Sequence, residues 1–345
     1  QDVGANAMTS LEEDYTASED IFATYAMGTW DVGNLRIIGG VRVENTQFQA
    51  TGNQVDVAAN GRSYTVTPLT ADRSYTNVLP GLHLRYDAGS DWVLRAAANK
   101  TVSRPSFGDI APRIGYNRGD EEVRLGNPEL DPYESKNVDL SFERYIGSTG
   151  ILSLGLFHKS IDGYIVNTVS DSDPEYPGFD VTRVINGDKA KVYGAEFNWQ
   201  QQLSFLPAGW DGLLVGASGT WLETDFDPGL DGRADEDFTL PRASRHVYSA
   251  HLGYEKAGFS TRIAAVYRSE YLDTLGDSRA YDIFVAPNTQ LDFSLDYKIT
   301  SNMSVYFEAQ NLLDKPLELY QGVRSRTLQN EEYGRTYALG LKVAL

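Results

Sequence analysis

Four histidines, His83, His158, His246 and His251, are the side chains best suited to acid–base or metal chemistry in a chain that has no cysteine. They are scattered, with no HExxH motif and no i,i+4 pair, so a catalytic zinc site is not expected. Ser249 and His251 share one strand face, where a Ser–His dyad is thinkable. Residues two apart on a strand seldom meet head-on, however, and no GxSxG elbow frames Ser249. Asp225, Asp227, Asp231, Asp235, Glu236 and Asp237 supply oxygen ligands for a hard cation such as calcium, but their spacing is not that of an EF-hand. The ordinary alternative is a solvated acidic loop. No glycine-rich stretch lies between a strand and a helix, so no phosphate cradle is expected. These residues imply no enzyme, no resident metal and no cofactor.

Binding chemistry is better represented. Arg113, Tyr116, Asn117 and Arg118 fall in one long polar connection, and Tyr320, Arg324 and Arg326 in another. Guanidinium forks and aromatic faces suit anionic chelates, carboxylates or sugars. Each of these residues has a plainer alternative, which is packing within its loop or pairing with the neighbouring acidic loops.

The elements that must position them are strands. Leu291, Phe293, Leu295 and Tyr297 alternate with Asp292, Ser294, Asp296 and Lys298. Met303, Val305, Phe307 and Ala309 repeat the pattern, and so do Tyr337, Leu339, Leu341, Val343 and Leu345. A period of two puts one set on each face of a sheet. These segments run roughly 10–12 residues, the length at which a tilted strand crosses a bilayer.

Long polar connections (45–74, with a candidate strand extension at Tyr64-Thr65-Val66-Thr67, then 104–132, 166–188, 225–242, 273–287 and 314–333) alternate with short turns. That is the two-sided pattern of an outer-membrane barrel with long extracellular loops. About thirteen strands are expected from residue 20 onward, after a polar extracellular loop segment at 1–19. An odd count and a first strand entered from the long-loop side imply a C-terminal portion of a larger barrel. A complementary N-terminal polypeptide is therefore an expected partner, because open sheet edges are not tolerated in hydrocarbon.

Composition agrees with this. The chain has 345 residues, 41% of them hydrophobic, with 21 tyrosines and no run of 18 apolar residues. Barrels escape hydropathy analysis because only alternate residues face lipid, and tyrosine suits interfacial girdles. A net charge of −18 argues against nucleic-acid binding. The start, Gln1-Asp2-Val3-Gly4, has no signal-peptide pattern. A passive porin and a soluble carbohydrate-binding β-protein are the other readings of this composition.

Several segments carry a resemblance. "SRPSF" (103–107) and "LGNPELDPYESKNVDLSFE" (125–143) resemble the barrel of TonB-dependent outer-membrane receptors. "YTNVLPGLHLRYD" (75–87), "AQNLLDKPLELYQG" (309–322) and "EEYGRTYALGLKVAL" (331–345) do so as well. The terminal region is most similar to the large receptors of Caulobacter- and Xanthomonas-like bacteria. The resemblance implies a 22-stranded barrel plugged by an N-terminal domain, with the plug and the TonB box outside this chain. It implies uptake of a scarce nutrient, such as a ferric siderophore or an oligosaccharide, driven by the TonB–ExbB–ExbD complex. It leaves room for a surface lipoprotein. Such barrels usually end in an aromatic residue, where this sequence has Leu345.

Overall fold

The computed structural model describes residues 3–170, 173–233, 235–276 and 278–343. Gln1, Asp2 and Leu345, named above, lie outside the described residues.

Helix α1 (Val3–Glu12) precedes strands β1 (Thr16–Val32), β2 (Leu35–Val57), β3 (Tyr64–Gly89) and β4 (Trp92–Ser103). The next connection holds a helical turn, α2 (Phe107–Ile110), and the hairpin β5 (Ile114–Asn117) and β6 (Glu122–Leu125). Strands β7 (Tyr133–Ile146) and β8 (Gly150–Asp162) follow, then the hairpin β9 (Ile165–Ser170) and β10 (Asp180–Asn186). After them come β11 (Lys189–Gln202), β12 (Leu213–Asp227), β13 (His246–Lys256) and β14 (Phe259–Arg268). Short strands β15 (Tyr271–Thr274) and β16 (Ile283–Val285) lead to β17 (Asn288–Lys298) and β18 (Met303–Gln310). The chain continues through β19 (Leu317–Gln321), β20 (Thr327–Glu331) and β21 (Thr336–Val343).

Thirteen of these strands (β1–β4, β7, β8, β11–β14, β17, β18 and β21) form one antiparallel meander, each paired with the next. The architecture is all-β, as the alternation implies. Among the described residues β1 pairs only with β2, and β21 only with β18, so the sheet does not close on itself.

The register separates two chemistries. One row of paired residues runs Tyr267, Tyr248, Gly219, Phe197, Leu154, Phe142, Leu94, Tyr86, Leu35 and Val32 from β14 to β1. The row one residue away runs Arg268, Val247, Thr220, Glu196, Gly155, Ser141, Arg95, Arg85, Arg36 and Asp31. Because strand neighbours point to opposite faces, the first row is an apolar, hydrocarbon-type face and the second a polar, inward one. The apolar row starts at the long-connection end of β14 and reaches the short-turn end of β1. That stagger is what tilted barrel strands require. Short turns close the lower edge. Ala257 and Gly258 both take positive φ, 52° and 81°, the type I′ geometry whose twist matches the flanking strands.

At the other edge the sequence reading needs correction. Residues 45–74 are mostly strand, because β2 and β3 stay paired from Leu35–Tyr86 up to Val57–Tyr64. The polar sequence concealed an inward alternation in which Thr46, Phe48 and Ala50 are buried. Phe48 and Ala50 pack with Ile110, Leu130 and Val184 from three other segments. Residues 1–19 are likewise not loop throughout, since α1 buries Met8 against Val55 and Val57 and β1 begins at Thr16. The connection 104–132 docks through its GNP motif, with Asn127 Nδ2 donating to the Val184 carbonyl at 2.9 Å. A side chain at Gly126 would meet the Ala111 carbonyl oxygen at 2.1 Å, so only glycine fits there.

α1 carries a buried acid at its C-terminal end. Glu12 is 3% exposed and faces Arg113 at 3.6 Å. Burial raises its carboxyl above the usual range, and Arg113 pulls it partly back.

Two outcomes are expected. Phe197→Arg, on the apolar face, lowers stability in micelles by about 2–4 kcal/mol, whereas Asn198→Arg on the inward face is tolerated; urea unfolding of the two variants checks this. The docked state of α1 binds more protons than the undocked state, because the Glu12 pKa is raised on docking. Docking is therefore strongest at acid pH and weakens as pH rises through the raised value. In a chain without cysteine, a nitroxide on Ser10→Cys reads this directly as mobility rising with pH, and Glu12→Gln abolishes the dependence.

Candidate functional site

The two groups of arginines and tyrosines sit on different platforms. Hairpin β5–β6 extends the wall by pairing in parallel with the end of β2 and, through β6, with β10. On it, Arg118 donates from Nε and Nη2 to both carboxylate oxygens of Asp56, each at 3.0 Å. The Arg118 guanidinium also lies 4.3 Å from the centre of the Tyr116 ring. Tyr116 packs in turn on Phe179 at 4.7 Å and Tyr176 at 6.1 Å. Asn117 is buried and closes a turn, its Oδ1 accepting from the amides of Gly119 and Asp120 at 3.0 and 3.2 Å. Arg113 is held by Glu13 and Glu12.

The second platform is a separate four-stranded sheet, β15–β16–β19–β20. Tyr320 is buried there and stacks on Phe284 at 5.4 Å. Burial, and then the neighbouring Glu270, push its phenol up to about 12. Arg324 donates to Glu270 at 2.8 Å, and Arg326 donates to the Ala280 carbonyl at 3.3 Å. Among the described residues no hydrogen bond, ion pair or ring contact joins the first platform's residues to the second's.

Arg233 ties the acidic connection 225–242 to this sheet. Its guanidinium donates to both oxygens of Asp282, at 2.7 and 2.8 Å, to Glu236 and to the Gly276 carbonyl. Both partners of the Arg233–Asp282 pair are more than nine-tenths buried. Of the other acids in that connection, Asp225 pairs with Lys191 at 3.1 Å. Among the described residues no three metal-ligating side chains come together.

The histidines are also dispersed. His158 stacks on Tyr193, His246 shares a hydrogen bond with the Tyr248 hydroxyl at 3.1 Å, and the His251 ring covers Gly216. Ser249 bonds to Ser218 across the strands at 2.7 Å. Asp292, Asp296, Glu308, Arg262 and Arg268 all fall on the inward face.

Sequence reasoning did not single out the Arg104 node. Arg104 donates to Glu44 at 2.6 Å and to Thr46 at 3.1 Å, and Arg42 donates to the other Glu44 oxygen. The only signal was the SRPSF segment, and its partners lie 58 and 60 residues away. A cavity beside Arg268 and Lys315 was missed as well, because the residues lining it come from five strands and two connections.

Comparison with known proteins places this wall. The sequence profile of the TonB dependent receptor-like β-barrel matches residues 2–312. The iron-regulated outer membrane virulence protein of Vibrio cholerae serotype O1 is 24% identical over 325 residues, covering 90% of this chain and 46% of that protein. The vitamin B12 transporter of Photobacterium profundum is 24% identical over 340 residues, covering 97% of this chain and 45% of that protein. The chain thus spans about half the length of the curated relatives it matches. Among solved structures, the copper transporter OprC superposes with a TM-score of 0.70 at 16% identity, over 95% of this chain and 48% of that one. The ferric-catecholate import receptor Fiu of E. coli K12 gives 0.70 at 17% identity, over 95% and 45%. With an apolar outer face, a polar inner face and this profile, the chain belongs to the TonB-dependent receptor-like β-barrel family of the bacterial outer membrane.

Proposed function

We propose that this chain forms part of the wall of a receptor that takes up a scarce nutrient across the outer membrane, energised by the TonB–ExbB–ExbD complex. The observation that carries the reading is the family match over residues 2–312. The relatives support it by their names: one is iron-regulated, one transports vitamin B12, and solved neighbours are a copper transporter and a ferric-catecholate import receptor. The nutrient is a ferric siderophore, an oligosaccharide or a similar molecule. The long connections face outward, and a surface lipoprotein would meet them there.

Further polypeptide carries the plug and the remaining strands of a 22-stranded barrel, either continuous with this chain or made separately. It pairs with the free edges of β1 and β21, because an unpaired amide in hydrocarbon costs several kcal/mol. Ligand is met at the outer mouth by Arg113, Tyr116, Asn117 and Arg118 on one side and by Tyr320, Arg324 and Arg326 on the other. The plug contacts the inward polar face, including Asp292 and Arg262. Binding at the mouth shifts the plug between two arrangements, and TonB supplies the work.

Accumulation of radiolabelled nutrient by whole cells tests the reading. Uptake is expected to stop when TonB is removed or the proton gradient is collapsed. Uptake that survives both treatments would instead mean passive diffusion. Arg118→Ala or Arg324→Ala is expected to weaken surface binding of that nutrient by about tenfold, in line with a lost charged hydrogen bond.

A further inference from the structure

We infer that the inner wall carries a binding place for a small polyanion, centred on Arg268 and Lys315. The inference rests on the receptor reading above and names the chemistry of its ligand. A cavity of about 490 Å³ lies where β14, β17, β18 and β21 reach their long-connection ends. That is within the size range of ordinary small-molecule sites. Arg268, Asn288, Gln290, Gln310, Lys315 and Thr336 are among its polar lining, and no lining residue is a carboxylate. In a chain of net charge −18 this is an unusual local balance.

The state of the two cations distinguishes them from the arginines of the platforms. Arg113, Arg118, Arg233 and Arg324 each have a carboxylate partner. Among the described residues neither Arg268 nor Lys315 has one. Arg268 instead lies over the Tyr271 ring at 4.5 Å, which orients the guanidinium without neutralising it.

Around them the frame is fixed. Asn288 Nδ2 donates to the Pro316 carbonyl at 3.1 Å, holding the Lys315 segment against β17. The nearby acid, Asp292, already accepts from Gln290 and from the Asn311 amide at 2.9 Å. Tyr333, which also lines the cavity, donates to Glu331. The Gln310 amide and the Thr336 hydroxyl complete a set of neutral hydrogen-bonding groups. An arginine fork takes two oxygens of one carboxylate or phosphate, and a lysine adds a point charge for a second group. The fitting ligand is a small molecule with two or more carboxylate or phosphate groups.

The test is calorimetric titration of the detergent-purified receptor with citrate and with pyrophosphate at low ionic strength. At least one probe is expected to bind, with Kd raised about tenfold or more in Arg268→Gln/Lys315→Gln. Lys315→Arg should keep binding within about threefold of wild type. Heat-modifiable gel migration verifies that the variants are folded. If the double variant is not, Lys315→Gln alone, at an exposed position on the connection, is expected to weaken binding at least threefold. Failure of both probes to bind wild type overturns the proposal, whether the cavity rejects them or another segment fills it. Equal binding by wild type and the folded variant overturns it too. The receptor reading fails by a different result, nutrient uptake indifferent to TonB.

Discussion

Hydrocarbon offers a backbone amide no partner, so each strand crossing it must satisfy its neighbour's hydrogen bonds along its whole length. The rest of this structure depends on that ladder. Once Phe197 is opposite Leu154 and Gly219, every other residue of β11 has its face assigned, because a slip of one residue would exchange the two faces. A slip would put Glu196 and Asn198 into lipid together, at a cost far above that of any single contact. The apolar row from Tyr267 to Val32 and the polar row beside it are thus one fact, seen from opposite sides of the sheet.

Above the bilayer-spanning part of the ladder the physics changes, and side chains must hold what the meander no longer does. Small apolar clusters do part of it, such as Phe48, Ile110, Leu130 and Val184, which join a wall strand to two connections. Arginines do the rest by reaching across sequence. Arg118 fixes hairpin β5–β6 to β2 through Asp56, Arg183 holds Asp173, and Arg233 joins two connections through Asp282. These pairs differ in worth. The exposed Arg118 pair is screened by solvent and adds little to stability. The buried Arg233–Asp282 pair contributes specificity instead, since either partner alone would be a stranded charge.

How far the sequence revealed this follows from the range of each signal. Alternation in Leu291–Lys298 and the short turns are local, and the thirteen strands and their two faces were legible from them. Of the extension of β2 and β3 through 45–74 only Tyr64–Thr67 was legible, because polar residues satisfied by a partner strand look like loop residues in isolation. The platforms were legible only as composition. Arg113, Tyr116, Asn117 and Arg118 are together, as their adjacency implies. Asn117, however, spends its amide on the Gly119–Asp120 turn, and Arg113 meets Glu12 and Glu13 from 100 residues away. Nothing in one segment announces a partner at that distance.

Pairing also orders the cations by what a ligand would gain from them. At Arg118 an incoming carboxylate must displace Asp56, so part of the gain from its new charged hydrogen bonds is offset by the bonds given up. At Arg324 the same exchange is made with Glu270. At Arg268 and Lys315 no carboxylate among the described residues has to leave. The gain there is the new interaction less the desolvation of two partly hydrated cations, and the strands have already fixed where those cations stand. In the proposed receptor, the exposed pairs would serve a first encounter at the mouth. The proposed polyanion site would then hold a multiply charged ligand through cations that pair with no carboxylate among the described residues.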